Sequence, residues 1–268
     1  MKTRVSINKS QQGLLQFITK YRFVTVKHIQ QNFSLKSRTS VNNKLKRLVD
    51  SELIGMRYDR TKKLSGEPAI FYLTPKGLRE VQKQLSYITD AIIRASYNDH
   101  KASDALIEES GELFSLTKSL TRNYPKMKVL TARQVSDLCY FPRPLPELYI
   151  AHQLHDEVQR FFLFNLRDIK RYDIAVRSCI TKLVTYRESE RYAESGNEFP
   201  VILLACHSAA IERLTQRVMR IALNKSHESM QVYTTSYKTL AQQEDVSQPV
   251  WSSIDDPDTL LTLEDIEP

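Results

Sequence analysis

Cysteine, glycine and long apolar runs are all scarce in this chain of 268 residues. The three cysteines, Cys139, Cys179 and Cys206, are odd in number and far apart, so the sequence predicts neither a disulfide framework nor a cysteine-based zinc site. No segment has the length and apolar character of a membrane span, and no signal-peptide pattern begins the sequence. We therefore expect a soluble, cytoplasmic protein that has no membrane partner.

Several catalytic and nucleotide-binding patterns are also missing. The sequence contains no GxxxxGK[ST] and no GxGxxG, so nothing predicts a nucleotide-phosphate site. The stretch His152–Asp156 holds two histidines, but we expect it in a hairpin turn without further spaced ligands, which argues against a metal site. Cys206 and His207 are adjacent, and neighbouring side chains on a strand point in different directions, so they are not expected to form a catalytic pair.

Positive charge is concentrated at one end of the chain. Residues 1–86 contain 18 Lys and Arg against 5 Asp and Glu, a local net charge of +13, whereas the whole chain has a net charge of +8. Residues 87–230 are nearly balanced, and residues 231–268 hold one Lys against eight acidic residues. Such a concentration of cations on one small module is typical of a surface that binds a polyanion, and nucleic acid is the first hypothesis.

Residues 10–85 are interpreted as a winged helix-turn-helix unit, which begins with three helices. Thr25 is placed to cap the second helix, and the third is predicted from Thr39 or Ser40 to Asp50. Apolar side chains at helical spacing define the first helix, namely Leu14, Leu15, Phe17, Ile18 and Tyr21.

A hairpin wing is predicted after the third helix. Two short apolar stretches, 53–58 and 69–73, flank a polar and basic tip that contains Gly66 and Pro68. Thr74 and Pro75 then mark the start of another helix, because proline is tolerated in a first turn, where its missing N–H has no partner.

The exposed face of the third helix and the wing are the expected DNA-binding surface. Helical spacing places Ser40, Asn43, Lys46, Arg47 and Asp50 on that face, and Asp50, at the end of the helix, is the one member that would repel phosphate. Amide, guanidinium and ammonium groups are the side chains that bond to base edges and phosphates in a major groove. A protein-interaction domain with a merely solvated basic face is the alternative. The residues assigned to duplex DNA are Arg38, Ser40, Asn43, Lys46, Arg47, Arg57, Arg60, Lys62 and Lys63.

The rest of the chain is interpreted as a helical connector, a domain and a tail. We expect the winged-helix domain over 1–86, the connector over 87–125, a small α/β domain over 126–240 and an acidic tail over 241–268. Within the α/β domain, the apolar runs at 149–150 and 161–166 are expected to pair as a hairpin whose turn is His152 to Gln159. The fold class is therefore α+β overall.

Two interpretations of the acidic tail stay open. Its eight acidic residues favour a solvated, partly disordered end, while Trp251, the only tryptophan, indicates that part of it docks on the protein. A functional alternative has the tail fold against the protein's own basic surface and compete with DNA.

Taken together, the sequence resembles the plasmid replication-relaxation family, which is related to MobC-type mobilisation proteins. The resemblance covers most of the chain and is moderately specific in combination. It is carried by Leu14–Ile18, Tyr21–Thr25, Gly66–Gly77, Phe199–Leu204 and Pro249–Trp251.

This resemblance implies a second domain of the restriction-endonuclease-like, PD-(D/E)XK type. In that fold, carboxylates hold a divalent metal, and a lysine steadies the attacking water. Pro146-Glu147 lies where a proline-acid pair is expected, but Asn165-Leu166-Arg167 replaces the acid-x-Lys pattern, so the acidic motif is eroded. The resemblance implies Glu147, Asp168 and Lys182 as catalytic candidates and Glu147 with Asp168 as metal ligands, with carboxylates from the preceding helix as substitutes, namely Glu108, Glu109 or Glu112. Mg²⁺ is the expected cofactor if this site is active.

The sequence thus favours a duplex DNA-binding protein of a mobile element, acting in plasmid replication, relaxation or mobilisation, with a degenerate nuclease-like domain. One alternative is an active metal-dependent nickase or relaxase, so enzymatic activity stays open. Another is a winged-helix transcriptional regulator, or an accessory factor of transposition or recombination. Double-stranded DNA is the expected partner; other replication, mobilisation or recombination proteins and a homodimer stay open. Fold analogy alone does not separate these functions.

Overall fold

The computed structural model describes residues 7–58, 68–154, 157–166, 172–226, 229–245 and 247–266. The chain forms two compact units, Met1–Ser115 and Leu116–Pro268. This division does not coincide with the predicted boundaries at 86, 125 and 240. The predicted connector contributes to both units because the division falls inside one long helix, and the predicted tail belongs to the second unit.

The first unit consists of short helices and a three-stranded antiparallel sheet. Its sheet has the strand order β1-β3-β2. The elements are α1 (Lys9–Tyr21), β1 (Phe23–Thr25), α2 (Val26–Phe33), α3 (Arg38–Asp50), β2 (Ile54–Arg57), β3 (Ile70–Leu73), α4 (Pro75–Gln82), α5 (Asp90–Ala95), a 3₁₀ helix (Ser96–Lys101) and the first half of α6 (Asp104–Asn123).

Helix starts in this unit follow from capping residues in the sequence. The Thr25 hydroxyl accepts a hydrogen bond from the backbone N–H of His28 at 3.2 Å, which confirms the predicted start of α2. Thr74 caps α4 in the same way, with Pro75 in the first turn as predicted.

The small sheet differs from the prediction by one strand. The predicted hairpin strands are present as β2 and β3, with Met56 opposite Phe71. In addition β1, which was not among the predicted strands, pairs with β3, so that Val24 also lies opposite Phe71. Val24 and Phe71 are buried in the core that α1, α2 and α3 complete. The tip of the hairpin, 59–67, lies outside the described residues.

The second unit is a mixed sheet of seven strands with helices packed against it. Strands β6, β7 and β8 are parallel, and the remaining neighbours are antiparallel, in the order β10-β9-β8-β7-β6-β5-β4. After the second half of α6 the elements are β4 (Met127–Thr131), β5 (Leu148–Leu154), β6 (Glu157–Leu166), α7 (Tyr172–Glu188), a 3₁₀ helix (Arg191–Ser195), β7 (Val201–Cys206), α8 (Ala209–Ser226), β8 (Val232–Ser236), α9 (Tyr237–Gln242), β9 (Trp251–Ser253) and β10 (Leu260–Leu261).

The predicted hairpin between β5 and β6 is confirmed, but its turn is much shorter than predicted. Tyr149 lies opposite Phe162, and the pairing continues through His152 and Gln159 to the end of the strands. Residues 152–154 and 157–159, which were expected in the turn, are therefore strand residues. The buried side chains of His152 and Gln159 explain the difference, because a pattern scored for apolar residues alone does not count them as strand.

Two short strands of the acidic end, β9 and β10, belong to the sheet, so the expectation of a solvated, partly disordered end is wrong for these strands. Trp251 in β9 is 1% exposed, which confirms the indication that this tryptophan docks. Ile254, Leu263 and Ile266 are equally buried, while the acidic residues between them, such as Asp256 and Asp258, are exposed. The sequence pattern did not predict this burial, because these apolar residues are separated by acidic ones and the segment is strongly charged.

Candidate functional site

Helix α3 has one buried face and one exposed face. The Ser37 side chain accepts a hydrogen bond from the backbone N–H of Ser40 at 3.2 Å, which fixes the start of the helix. Val41, Leu45 and Leu48 are almost fully buried in the core of the first unit. This burial fixes the rotation of the helix about its axis and so decides which side chains face the solvent.

The residues predicted on the opposite face of α3 are exposed as expected. No carboxylate in the described part of the chain forms an ion pair with Arg38, Lys46 or Arg47. The flanking Lys44 is different, because its ammonium donates to the Ser10 hydroxyl at 3.0 Å and so joins α3 to α1. On this face Ser40, Asn43, Lys46 and Arg47 are exposed, and so is the acidic Asp50 at the last position of α3. Arg38, in the first turn, is exposed as well.

Arg57 has a structural role that the sequence did not indicate. Its guanidinium lies 2.9 Å from the Asp104 carboxylate and also donates to the Ala102 carbonyl oxygen. These contacts engage the side chain within the first unit, so we leave Arg57 out of the candidate DNA-binding surface. The wing residues Arg60, Lys62 and Lys63 lie outside the described residues.

The candidate metal centre rests on one end of the β5–β6 hairpin. Glu147 is half-buried and directly precedes β5. Leu148 lies opposite Leu163, so Asn165 on β6 is at the same end of the hairpin as Glu147. The proline-acid position and the position where the acid-x-Lys pattern is eroded therefore lie at the same end of the hairpin.

The other candidate ligands are distributed over different parts of the chain. Asp168 lies outside the described residues. Lys182 is an exposed residue of α7 in the second unit, whereas Glu108, Glu109 and Glu112 belong to the first unit. Among the described residues, no group of three or more His, Cys, Asp or Glu side chains is arranged to hold a metal ion.

His152 and Cys206, which the sequence raised as possible metal-binding or catalytic groups, are both buried side chains. His152 is 4% exposed, and its ring meets Tyr124 edge-on with 5.4 Å between ring centroids. Burial lowers the pKa of His152, although Glu264 opposes this effect. Cys206 is fully buried and His207 is exposed, which confirms that these neighbours point in different directions. Burial raises the pKa of Cys206 to about 12, so its thiol is not a nucleophile at neutral pH.

Some polar contacts could not be anticipated from the sequence. The buried amide of Gln216 in α8 donates to Thr234 in β8 at 2.8 Å and to Ser252 in β9 at 3.0 Å. Asp99 forms a buried ion pair with Arg22. These pairs are separated by 18 to 77 residues in the chain and carry no local signal.

Comparison with known proteins leaves the chain without a family. No protein-family profile and no curated protein matches it. A solved structure of the restriction endonuclease FokI is similar over 87% of this chain and 42% of that chain, with 10% sequence identity and a TM-score of 0.33. At this TM-score the likeness supports no conclusion about fold or function. Among the described residues, no helix combines the length and apolar composition needed to span a bilayer.

Proposed function

We propose that this protein binds double-stranded DNA through α3 and acts for a mobile element in plasmid replication, relaxation or mobilisation. The observation that carries the DNA-binding proposal is the exposed face of α3. On that face a carboxamide, an ammonium and a guanidinium, from Asn43, Lys46 and Arg47, are exposed together. Major-groove recognition uses these three groups, because they donate to base edges and phosphates.

The arrangement around α3 supports the interpretation of the first unit as a winged helix. Helices α2 and α3 pack together, and a hairpin of β2 and β3 follows directly. In that class of DNA-binding domain, the second helix of the pair enters the major groove, and the hairpin lies against the backbone. The apolar face of α3 is used in the core, so its polar face is the one available to a ligand.

The second unit is proposed to be a nuclease-like domain whose site has been eroded. The order of a helix, three antiparallel strands, a helix and a parallel strand, from α6 to β7, is compatible with the fold that the family resemblance implies. With Asn165 in place of an acid, the hairpin end offers a neutral, weaker magnesium ligand. Such a domain would serve in DNA processing or protein assembly.

A metal-dependent nickase is the second candidate, because Glu147 supplies a carboxylate at the end of the hairpin where the resemblance implies the metal site. Incubation of the full chain with supercoiled plasmid and Mg²⁺ or Mn²⁺ tests it. Nicks that need the metal and vanish with Glu147→Gln would replace the eroded-site proposal by this second candidate. Absence of nicks under every metal, together with retained binding, supports the eroded site.

The DNA-binding proposal is tested by fluorescence anisotropy of the full chain with duplex DNA. A variant that carries Asn43→Ala, Lys46→Ala and Arg47→Ala is expected to bind at least tenfold more weakly, since each lost polar contact is worth roughly 1 kcal/mol or more. The matched control replaces Arg79, Lys83 and Gln84 by Ala; these exposed residues of the same unit lie in α4 or directly after it and carry the same number of charges and amides. Equal affinity of the α3 variant and wild type would overturn the proposal.

A further inference from the structure

Helix α8 in the second unit carries a row of arginines on its solvent-facing side. Ile211, Thr215, Val218 and Met219 bury the opposite side of the helix against the sheet. Arg213, Arg217 and Arg220 follow at intervals of four and three residues, and Asn224 continues the row four residues later. At about 100° and 1.5 Å per residue, the four side chains lie within roughly 60° of one line and span about 16 Å. We call these four residues the α8 stripe.

The α8 stripe is not neutralised by the helix that carries it. Glu212 is the one acidic residue of α8; it is half-buried and accepts a hydrogen bond from the Thr234 hydroxyl at 3.0 Å. No described carboxylate forms an ion pair with Arg213 or Arg217. The Nε of Arg220 donates to the Ile254 carbonyl oxygen at 3.0 Å, which holds this guanidinium but leaves its charge in place.

One end of the stripe lies beside an acidic residue. Asn224 and Asp255 line the same open groove at the C-terminal end of α8. Arg217 and Arg213 are about two and three turns away from Asn224 along the helix, at about 3.6 residues per turn. The two N-terminal arginines are therefore the part of the stripe that is most open to an anionic partner.

We infer that the α8 stripe is a second, sequence-independent contact with duplex DNA, in which Arg213 and Arg217 bind backbone phosphates. This inference rests on the proposed function for the identity of the ligand and adds a site in the other unit. Guanidinium groups pair with phosphate oxygens in a bidentate manner. Arg213 and Arg217 lie about 6 Å apart along the helix axis, so they can reach different phosphates of one DNA strand, which follow one another at about 3.4 Å along the duplex axis. An anionic membrane is disfavoured, because the apolar face that would enter a bilayer is buried in the core.

The test measures how the affinity of the full chain for duplex DNA depends on salt. Arg213→Gln with Arg217→Gln is expected to lower the slope of log K against log salt by about 1.8, since each lost phosphate contact accounts for about 0.9. The preference for one duplex sequence over another should be unchanged. Lys118→Gln with Lys238→Gln removes the same charge from α6 and α9, both exposed positions of the second unit, and is expected to leave the slope as in wild type.

The outcomes separate this inference from the proposed function. One outcome is that the α3 variant binds DNA like wild type while the α8 variant lowers the slope of log K against log salt. This result supports DNA binding by the α8 stripe and contradicts DNA binding by α3. An unchanged slope for the α8 variant, together with weak binding of the α3 variant, overturns the stripe alone. A slope lowered equally by the Lys118 and Lys238 control also overturns it, since net charge would then be the cause. Loss of binding to phosphatidylglycerol vesicles with an unchanged DNA slope would assign the stripe to a membrane surface instead.

Discussion

Arg22 and Asp99 form a buried ion pair that joins the end of α1 to the 3₁₀ helix Ser96–Lys101. The Nη2 and Nε atoms of Arg22 donate to one Asp99 carboxylate oxygen at 2.7 and 3.1 Å. Asp99 is 2% exposed, whereas the Arg22 side chain is 31% exposed. Arg22 has a φ of 68°, in the region that favours glycine, and its backbone N–H caps α1 by donating to the Ile18 carbonyl oxygen. The pair therefore compensates a charge that the fold buries almost completely.

Removing either partner should destabilise the first unit, and by different amounts. Arg22→Ala leaves the buried Asp99 without its cation and is expected to lower the free energy of unfolding by about 3 kcal/mol. Asp99→Asn leaves only the more exposed Arg22, so a smaller loss is expected. Urea unfolding measures both. Asp104→Asn, which breaks the exposed pair with Arg57, is the control and should cost less than about 1 kcal/mol. An Arg22 variant no less stable than this control would contradict the assignment.

Trp251 should report that the acidic end is folded into the second unit. Because its side chain is 1% exposed, its fluorescence should be blue-shifted and weakly quenched by acrylamide in the native protein. Trp251→Ala should lower the free energy of unfolding by about 3–5 kcal/mol, as expected for a large side chain removed from a core. Circular dichroism of urea unfolding follows this variant, which has no tryptophan. Native quenching as rapid as in the unfolded chain would show that β9 is not docked.

Acidification should destabilise the protein in part through His152. Burial lowers its pKa in the folded state, and the nearby Lys126 adds to this, while Glu264 acts in the opposite direction. The unfolded chain therefore binds the proton more readily, so the stability that the neutral ring provides above its ordinary pKa of about 6.5 is lost as pH falls below that value.

Urea midpoints between pH 7.5 and pH 5 check the role of His152. His152→Gln should reduce the loss of stability over this range, whereas His207→Gln, at an exposed position, should not. The stability of His152→Gln should still depend on pH to some extent, because burial also lowers the pKa of His28 in the first unit. The same pH dependence in wild type and in both variants would contradict the prediction.

Lys46 and Arg47 should contribute to DNA binding in different ways. Lys46→Ala is expected to weaken binding to every duplex alike and to reduce the salt slope by about 0.9, as for one lost phosphate contact. Arg47→Ala is expected to relax sequence preference as well, if its guanidinium reaches a base edge, where one bidentate pair discriminates by about 1–3 kcal/mol. Binding to a set of related duplexes at several salt concentrations separates the two. Identical profiles for both variants would show that neither side chain reads bases.

Local signals explain what could be predicted from the sequence. Thr25 and Thr74 cap helices because a hydroxyl and a backbone N–H two or three residues away suffice, and both predictions are confirmed. The exposed face of α3 followed from the spacing of Val41, Leu45 and Leu48 alone. These features need no knowledge of distant parts of the chain.

Long-range pairing explains what the sequence did not show. The partner of Arg57 is 47 residues away, so its engagement by Asp104 left no trace in the local pattern. The strand β9 around Trp251 could not be predicted from local pattern, because its pairing with β8 joins residues at least 18 positions apart. It also lies in a segment dominated by acidic residues. The α8 stripe, in contrast, was open to prediction, since Arg213, Arg217 and Arg220 recur at helical spacing.

Photo-crosslinking from α3 tests directly whether this helix contacts duplex DNA. A benzophenone-bearing amino acid is placed at Asn43 in the full chain, and at Lys83, directly after α4, as the control. Each protein is irradiated with labelled duplex DNA. We expect a protein–DNA adduct from position 43 and little or none from position 83. Binding of duplex DNA with no adduct from position 43, or with equal adducts from both positions, would contradict this expectation.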